Sequence, residues 1–480
     1  MIKYIYRVTF LVTILLFVLS SVLTAQENDD PVENFEHLWN TFDRNYAIFG
    51  PKHVDWDLLY EIYRPKITPG MPEDDLFSVM CSMLGHLNDN HVRLRSSSPE
   101  RSFSAGFLNQ LQRPDFSQLP VPENYFRSPV KKLSDGVFSY GWIADNIGYF
   151  HFGRFSNREA SAAAIDEIVE SFKDADGMII DVRRNGGGDD FVGKIIADRF
   201  ADRQRLYMKT MISNGPGHDD FTPPRYWYVE PNGPRQFTKA VVLLTNRFSI
   251  SAAENFALAM RVLPHVTVVG DFTSGCFADV YSDNLPNGWR FGCSYKLFVD
   301  TNDFCWEGIG VPPDLRITNT DNYIEEGKDR VLDFAIDLIN TGNIPIQDES
   351  GSLNDVRESL AWSLEKNILS NGIAPALEAF HTAKRGNPDN YYIESEELDI
   401  VAGRLSDVGR EEEALRVLLL NTEEFPGYWW VHHDLAEAYE NREDHEKARA
   451  SFEKSMNLNP RNYPREREAF DKAAEYIKNH

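Results

Sequence analysis

Apolar residues recur at helical spacing over 31–46, 55–63 and 73–87. The punctuation around them, Gly70-Met71-Pro72 and the polar run Asn88-Asp89-Asn90-His91, predicts helices that end on a loop. Further along, the pattern changes. Apolar runs at 147–152, 177–182, 241–244 and 267–270 read as buried strands, while 160–172 and 252–262 keep helical periodicity. Strands alternating with helices predict βαβ units and a largely parallel sheet covered on both faces. Residues 96–135, rich in Ser, Pro, Arg and Asn, offer no regular pattern and read as an extended connection.

Beyond a Gly-, Pro- and Asp-containing boundary near 341–352 the chain is helical and repeats itself. At a step of 34 residues Pro460 falls on Pro426, Phe452 on Leu418, Ala448 on Ala414, Tyr439 on Leu405 and Ala436 on Ala402, and an earlier copy runs through Ala376, Phe380 and Pro388. This period resembles tetratricopeptide repeats, helix pairs that stack to bury a shared face. The resemblance implies either a concave surface for a protein partner or a brace for the preceding domain. Tyr428, Trp429 and Trp430 read as packing residues. The expected organisation is a leader at 1–25, a helical domain at 26–96, a connecting segment at 97–140, an α/β core at 141–342 and helical repeats at 343–480.

Composition changes the picture in three ways. Lys and Arg number 49 against 74 Asp and Glu, a net charge of −25 over 480 residues. With no basic cluster to displace counterions, nucleic acid is excluded as a partner. Residues 1–25 join Lys3 and Arg7 to an apolar run over 8–23 and to small residues at Ser20, Thr24 and Ala25, the pattern of an export signal. The expected location is extracytoplasmic, periplasmic or secreted, with membrane attachment only if the segment stays uncleaved. Cys81, Cys276, Cys293 and Cys305 lack zinc-site spacing, so no metal and no cofactor is expected. Cys276 with Cys293 is a candidate disulfide across neighbouring strands.

Two segments carry candidate chemistry. In Asn246-Arg247-Phe248-Ser249-Ile250-Ser251-Ala252-Ala253-Glu254 a strand stops at a Ser-rich turn and restarts as a helix, presenting a hydroxyl beside unpaired helix amides. A Ser there is also an ordinary N-cap. Gly186-Gly187-Gly188 follows a buried strand and lets backbone amides approach a ligand. Asp189-Asp190 follows where a phosphate loop needs Lys and Ser or Thr, so phosphate binding is disfavoured.

The ordered blocks Asp181-x-Arg183-x-Asn185-x-Gly187-Gly188, Ser249-x-Ser251-Ala252-Ala253-Glu254, Gly270-x-x-Thr273-x-Gly275, Glu307 to Asp314 and Gly327-Lys328-Asp329-Arg330 resemble the tail-specific, or C-terminal processing, serine peptidases. The resemblance implies a ClpP/crotonase-like α/β peptidase core, a peptide or protein substrate and Ser251 as nucleophile, with Ser249 as its neighbour. One branch of the family uses a Lys after the Gly275 position. Here that residue is Cys276, and no Lys lies between Arg247 and Lys296. The branch similar to the tricorn core takes His from a loop after the N-terminal helices and Glu from the last Gly-Val-Pro block, which implies His91 as base and Glu307 as its orienter. Asn90 precedes His91 where tricorn often has Ser, and would support its orientation. The resemblance further implies an oxyanion hole from Ala252 and from Gly187 or Gly186. The segment 97–141 is too short for the PDZ domain of many relatives, which leaves substrate binding to the repeats.

Two other readings compete. The same fold serves without catalysis in the interphotoreceptor retinoid-binding proteins, so an inactive ligand- or peptide-binding protein is the alternative. Cys276 could itself be reactive, although no neighbouring cation is present to stabilise a thiolate.

Overall fold

The computed structural model describes residues 30–342 and 358–480, apart from breaks at 53, 98, 107–120, 122, 128, 145, 320–322, 324–325, 387–390, 460 and 462–463. Residues 1–25, read above as an export signal, Pro388, Pro460 and the boundary stretch beyond 342 lie outside the described residues. The chain begins with α1 (Pro31–Asn45), α2 (Trp56–Tyr63) and α3 (Glu73–Gly85), then the hairpin β1 (Arg93–Ser97) and β2 (Glu100–Ser104). There follow β3 (Lys131–Leu133), β4 (Phe138–Ala144), β5 (Ile147–Phe152), α4 (Arg158–Ser171), β6 (Gly177–Asp181), α5 (Asp190–Ala197), β7 (Arg205–Ile212) and β8 (Arg225–Val229). Next come β9 (Ala240–Thr245), α6 (Ala252–Arg261), β10 (Val266–Gly270), β11 (Val280–Asn284), β12 (Arg290–Ser294), β13 (Lys296–Val299), β14 (Leu315–Arg316) and α7 (Arg330–Thr341).

The central sheet has seven strands in the order β14-β10-β9-β6-β5-β4-β3. From β14 to β5 every neighbour is parallel, while β4 and β3 close the other edge antiparallel. The strands at its centre are apolar throughout because both faces are covered. On one side α4, α5 and α6 bury Ile165, Ile168, Ile196, Phe256 and Met260 against Ile180 and Leu243. On the other, α7 buries Leu332, Ala335 and Leu338 against Ile179, Val242 and Val269.

Two expectations are corrected. The stretch 96–135, read as an extended connection, contains the end of β1, all of β2 and β3, and the β1–β2 hairpin completes a four-stranded sheet, β11-β12-β1-β2. Leu94, facing Phe103 on one side and Phe291 on the other, holds that pairing. Its period was masked by the surrounding Arg and Ser residues, and β12 lies far away in sequence. All four cysteines are free. Cys276 sits in the loop before β11 rather than on a strand beside β12, where Cys293 pairs in register with Tyr281.

The N-terminal helices share a core with these strands. Phe35, Leu38, Phe42, Trp56 and Met80 belong to one cluster with Trp289, Phe291 and Leu297. The C-terminal region is built from α8 (Leu360–Asn371), α9 (Ile373–Gly386), α10 (Ser395–Asp407), α11 (Glu411–Glu424), α12 (Trp429–Asn441), α13 (His445–Leu458) and α14 (Pro464–Asn479). The starts of α10 and α12, and of α11 and α13, are 34 residues apart. Ala402, Leu418, Ala436 and Phe452, all from the repeating pattern, lie in one core.

Candidate active site

Ser251 occupies the corner between β9 and α6 with φ 59° and ψ −121°, a left-handed conformation that a side-chain-bearing residue adopts only when its surroundings impose it. Those surroundings are explicit. The Ser251 N–H donates to the Cys276 carbonyl at 3.0 Å and to Glu254 Oε2 at 3.1 Å, and the preceding Ile250 N–H donates to the Asn185 carbonyl at 3.0 Å. Ser249 is buried. Its hydroxyl donates to the Val182 carbonyl at 2.8 Å and accepts the Asn246 N–H at 3.2 Å, which holds the turn against β6.

Glu254 is the residue that sequence reasoning undervalued. Its buried carboxylate also accepts Thr273 Oγ1 at 2.7 Å and the N–H groups of Gly275 at 2.6 Å and Cys276 at 2.8 Å. It therefore clasps the Thr273–Cys276 loop to the start of α6. Burial pushes its carboxyl up to about 7. Its signal was its fixed place in the Ser-x-Ser-Ala-Ala-Glu block, read there only as family pattern.

The glycine loop meets the Ser turn at Gly187. A Cβ there would lie 2.7 Å from both Ser251 Cβ and the Ile250 carbonyl oxygen, so only glycine fits. The amides expected in an oxyanion hole are engaged elsewhere: Gly186 donates to the Gly153 carbonyl at 3.2 Å, and Gly187 to Asn185 Oδ1 at 2.9 Å. The Asn185 side chain turns back to brace the loop at Gly187, whose φ is 88°. Of the three expected donors, only the Ala252 N–H has no acceptor among the described residues.

His91 follows α3 on a loop fastened by Asp89. Asp89 Oδ1 accepts the His91 N–H at 2.8 Å, and Oδ2 accepts the hydroxyls of Ser294 at 2.7 Å and Tyr46 at 3.1 Å. The ring is half-buried, and its Nδ1 is buried without a partner. Burial lowers the imidazole pKa, opposed by the Asp89 charge, so the ring is neutral at neutral pH. Asn90 packs against Gly106, where a Cβ would come 2.0 Å from its Oδ1.

Glu307 is buried too. Its Oε2 accepts the N–H groups of Phe277 at 2.8 Å and Ala278 at 3.2 Å, while Oε1 has no partner. Burial first, then the charge of Asp89, holds its carboxyl well above the usual carboxylate range, against the pull of Lys52. It lines a cavity of about 390 Å³ between the N-terminal helices, residues 303–309 and α8.

Cys276 links these groups. Its Sγ, a ring nitrogen of His91 and a carboxylate oxygen of Asp89 all lie within 4.8 Å of one another, and its carbonyl receives the Ser251 N–H. Burial, then Glu307 and Asp89, push its thiol well up, which disfavours a free thiolate. Ser251, Cys276, His91, Asp89 and Glu307 thus share one neighbourhood, although among the described residues no hydrogen bond joins His91 to Ser251 or Glu307. The remaining blocks hold the frame: Arg183 bonds Asp181 at 2.7 Å and Asp329, the cap of α7, at 2.7 Å. Asp89 escaped sequence reasoning because one Asp in a polar loop carries no periodic signal.

The chain matches the family model of Peptidase family S41 over residues 146–317 and that of the Tricorn protease C1 domain over 28–85. A solved structure from Parabacteroides merdae ATCC 43184, described as a candidate peptidase, is 34% identical with a TM-score of 0.60. The match covers 65% of this chain and 97% of that one. The tricorn protease of Thermoplasma volcanium is 24% identical over 272 residues, 56% of this chain and 24% of its own length. The carboxy-terminal processing protease CtpB of Bacillus subtilis is 24% identical over 261 residues, 52% and 50% of the two chains. The chain therefore spans about a quarter of the one and half of the other. Mature CPAF, 12% identical with a TM-score of 0.51 over 66% of this chain and 99% of its own, shares the fold.

Proposed function

This chain belongs to peptidase family S41 and is a serine-type peptidase, and from that premise we propose that it is an exported endopeptidase working through an acyl-enzyme on Ser251. One observation carries the reading. Ser251 is held in a left-handed corner at the mouth of α6, against the bare Gly187, beside an Ala252 N–H that has no acceptor among the described residues. Such a corner exposes a hydroxyl where an amide can receive the oxyanion.

In this mechanism neutral His91 takes the Ser251 proton and returns it to the leaving amine. His91 Nδ1 and Glu307 Oε1 are both buried without a partner, which supports their roles here as donor and acceptor to each other. Substrate closure would join them, as catalytic hydrogen bonds often tighten only in the complex. The imidazolium that forms then favours ionised Glu307, since an opposite charge lowers a carboxyl pKa. The Ala252 N–H stabilises the oxyanion, and Gly187 supplies a second donor when Asn185 releases it.

We read the C-terminal helices as tetratricopeptide-like repeats, the core as ClpP/crotonase-like, and the divisions as falling near 26, 97, 141 and 343. Trp362 of α8 and Ile400 of α10 pack with Ile250, next to the nucleophile. This contact supports a role for the repeats in lining the substrate path and in receiving a protein partner. An uncleaved leader at 1–25 would tether the enzyme outside the cytoplasm, and a cleaved one would release it. The test is Ser251→Ala. It should keep the melting temperature and lose both peptide hydrolysis and labelling by a serine-directed phosphonate; hydrolysis at the parent rate would sink the assignment.

A further inference from the structure

Cys276 stands where a Lys-using relative would place its base, and the proposed hydrolysis gives its side chain no task. Its Sγ nevertheless shares a 4.8 Å circle with a His91 ring nitrogen and an Asp89 oxygen. We propose that Cys276, His91 and Asp89 form a binding site for a thiophilic divalent cation, Zn²⁺ being the natural occupant, and that occupancy silences the peptidase.

The donor set has the right chemistry: one thiolate, one imidazole and one carboxylate, the three ligand types that zinc accepts. Tetrahedral zinc with bonds of about 2.0–2.3 Å places its ligand atoms roughly 3.3–3.8 Å apart, so a triangle no wider than 4.8 Å needs about an ångström of side-chain closure. Two features point to a ligand here. The Nδ1 of His91 is buried with nothing to bond, so the atom that the proposed mechanism pairs with Glu307 only on substrate closure is open to a cation before it. Asp89 is oriented by Tyr46, Ser294 and the His91 N–H, the outer-shell fastening that metal-binding carboxylates require. The half-exposed ring leaves a way in, and the fourth position stays open to water. On binding, the Cys276 S–H bond breaks as the metal–sulfur bond forms, and its proton leaves to solvent without any change of oxidation state.

Silencing follows because the metal occupies the lone pair or fixes the ring of His91, and so rests on His91 as base; binding does not. Co²⁺ titrated into the full-length Ser251→Ala protein should give a thiolate-to-cobalt charge-transfer band at one equivalent. The band should vanish in the Ser251→Ala/Cys276→Ala double variant. In parallel, Zn²⁺ should inhibit peptide hydrolysis by the parent protein, reversibly by chelator, and Cys276→Ser should raise the inhibitory concentration at least tenfold. If Cys276→Ala fails to fold, Cys276→Ser serves in the spectral arm as well. Absence of the band, or its survival without Cys276, overturns the site. A band at Cys276 with undiminished hydrolysis overturns the silencing and counts against His91 as base, leaving the site standing.

Discussion

At the scale of single residues, the Ser251 corner depends on Glu254, which accepts the Ser251 N–H and holds the neighbouring loop. Four hydrogen bonds converge on this carboxylate in a site that burial makes costly for charge. Glu254→Gln would set an NH₂ group against amide donors and should lower kcat/KM by about 10- to 100-fold, the cost of an unmet buried donor. The same burial makes a stability prediction. The folded-state carboxyl, at about 7 against an ordinary 4.5, binds its proton more tightly than in the unfolded chain. Its contribution is therefore fully present below about pH 4.5 and is lost as the pH rises through about 7, a change of about 3 kcal/mol. Denaturant unfolding of the parent and of Glu254→Gln should diverge by that amount across the window. Parallel curves would show that Glu254 titrates normally.

At the scale of elements, the glycine loop and the Ser turn form one unit. Asn185 joins them through its carbonyl, which accepts Ile250 N–H, while its Oδ1 accepts Gly187 N–H within the loop and its Nδ2 donates to the Phe152 carbonyl on β5. Gly187→Ala would meet backbone and side chain at 2.7 Å while φ stays at 88°, strain that an alanine cannot relieve by rotation. We expect a loss of about 1–3 kcal/mol of stability and the collapse of kcat/KM by at least about 100-fold, because the displaced atoms carry Ser251, the proposed nucleophile. Steady-state kinetics beside thermal melts check it, and an active Gly187→Ala enzyme would separate the loop from the reaction. The helices and central strands were legible because their apolar periods are long. The β1–β2 hairpin was not, since only Leu94 and Phe103 mark its period and its partner β12 comes from the far side of the chain.

At the scale of the whole molecule, the C-terminal helices are docked onto the loop that bears His91. His86 donates or accepts at Tyr63 and, through Nδ1, at Glu365 of α8 at 3.0 Å, and Arg404 of α10 bonds the other Glu365 oxygen at 3.0 Å. Burial opposes this charge, but Arg404 and His86 hold the Glu365 carboxyl below its ordinary range. Glu365→Ala would strand Arg404 in the interface at a cost of about 3–5 kcal/mol. Limited proteolysis should then release the C-terminal helices sooner, and activity should fall with the docking. Unchanged proteolysis would show that the apolar contacts suffice alone.

By itself the sequence determined the βαβ core, the 34-residue helical step and the order of the motif blocks, because these are local periods and fixed spacings. Only the tertiary structure decided which groups meet. It brought Asp89 and Cys276 to His91, engaged Gly186 and Gly187 elsewhere, kept all four thiols free and set α8 and α10 beside Ile250. Such encounters depend on how distant segments pack and on which buried polar atoms find partners, and neither leaves a period in the chain.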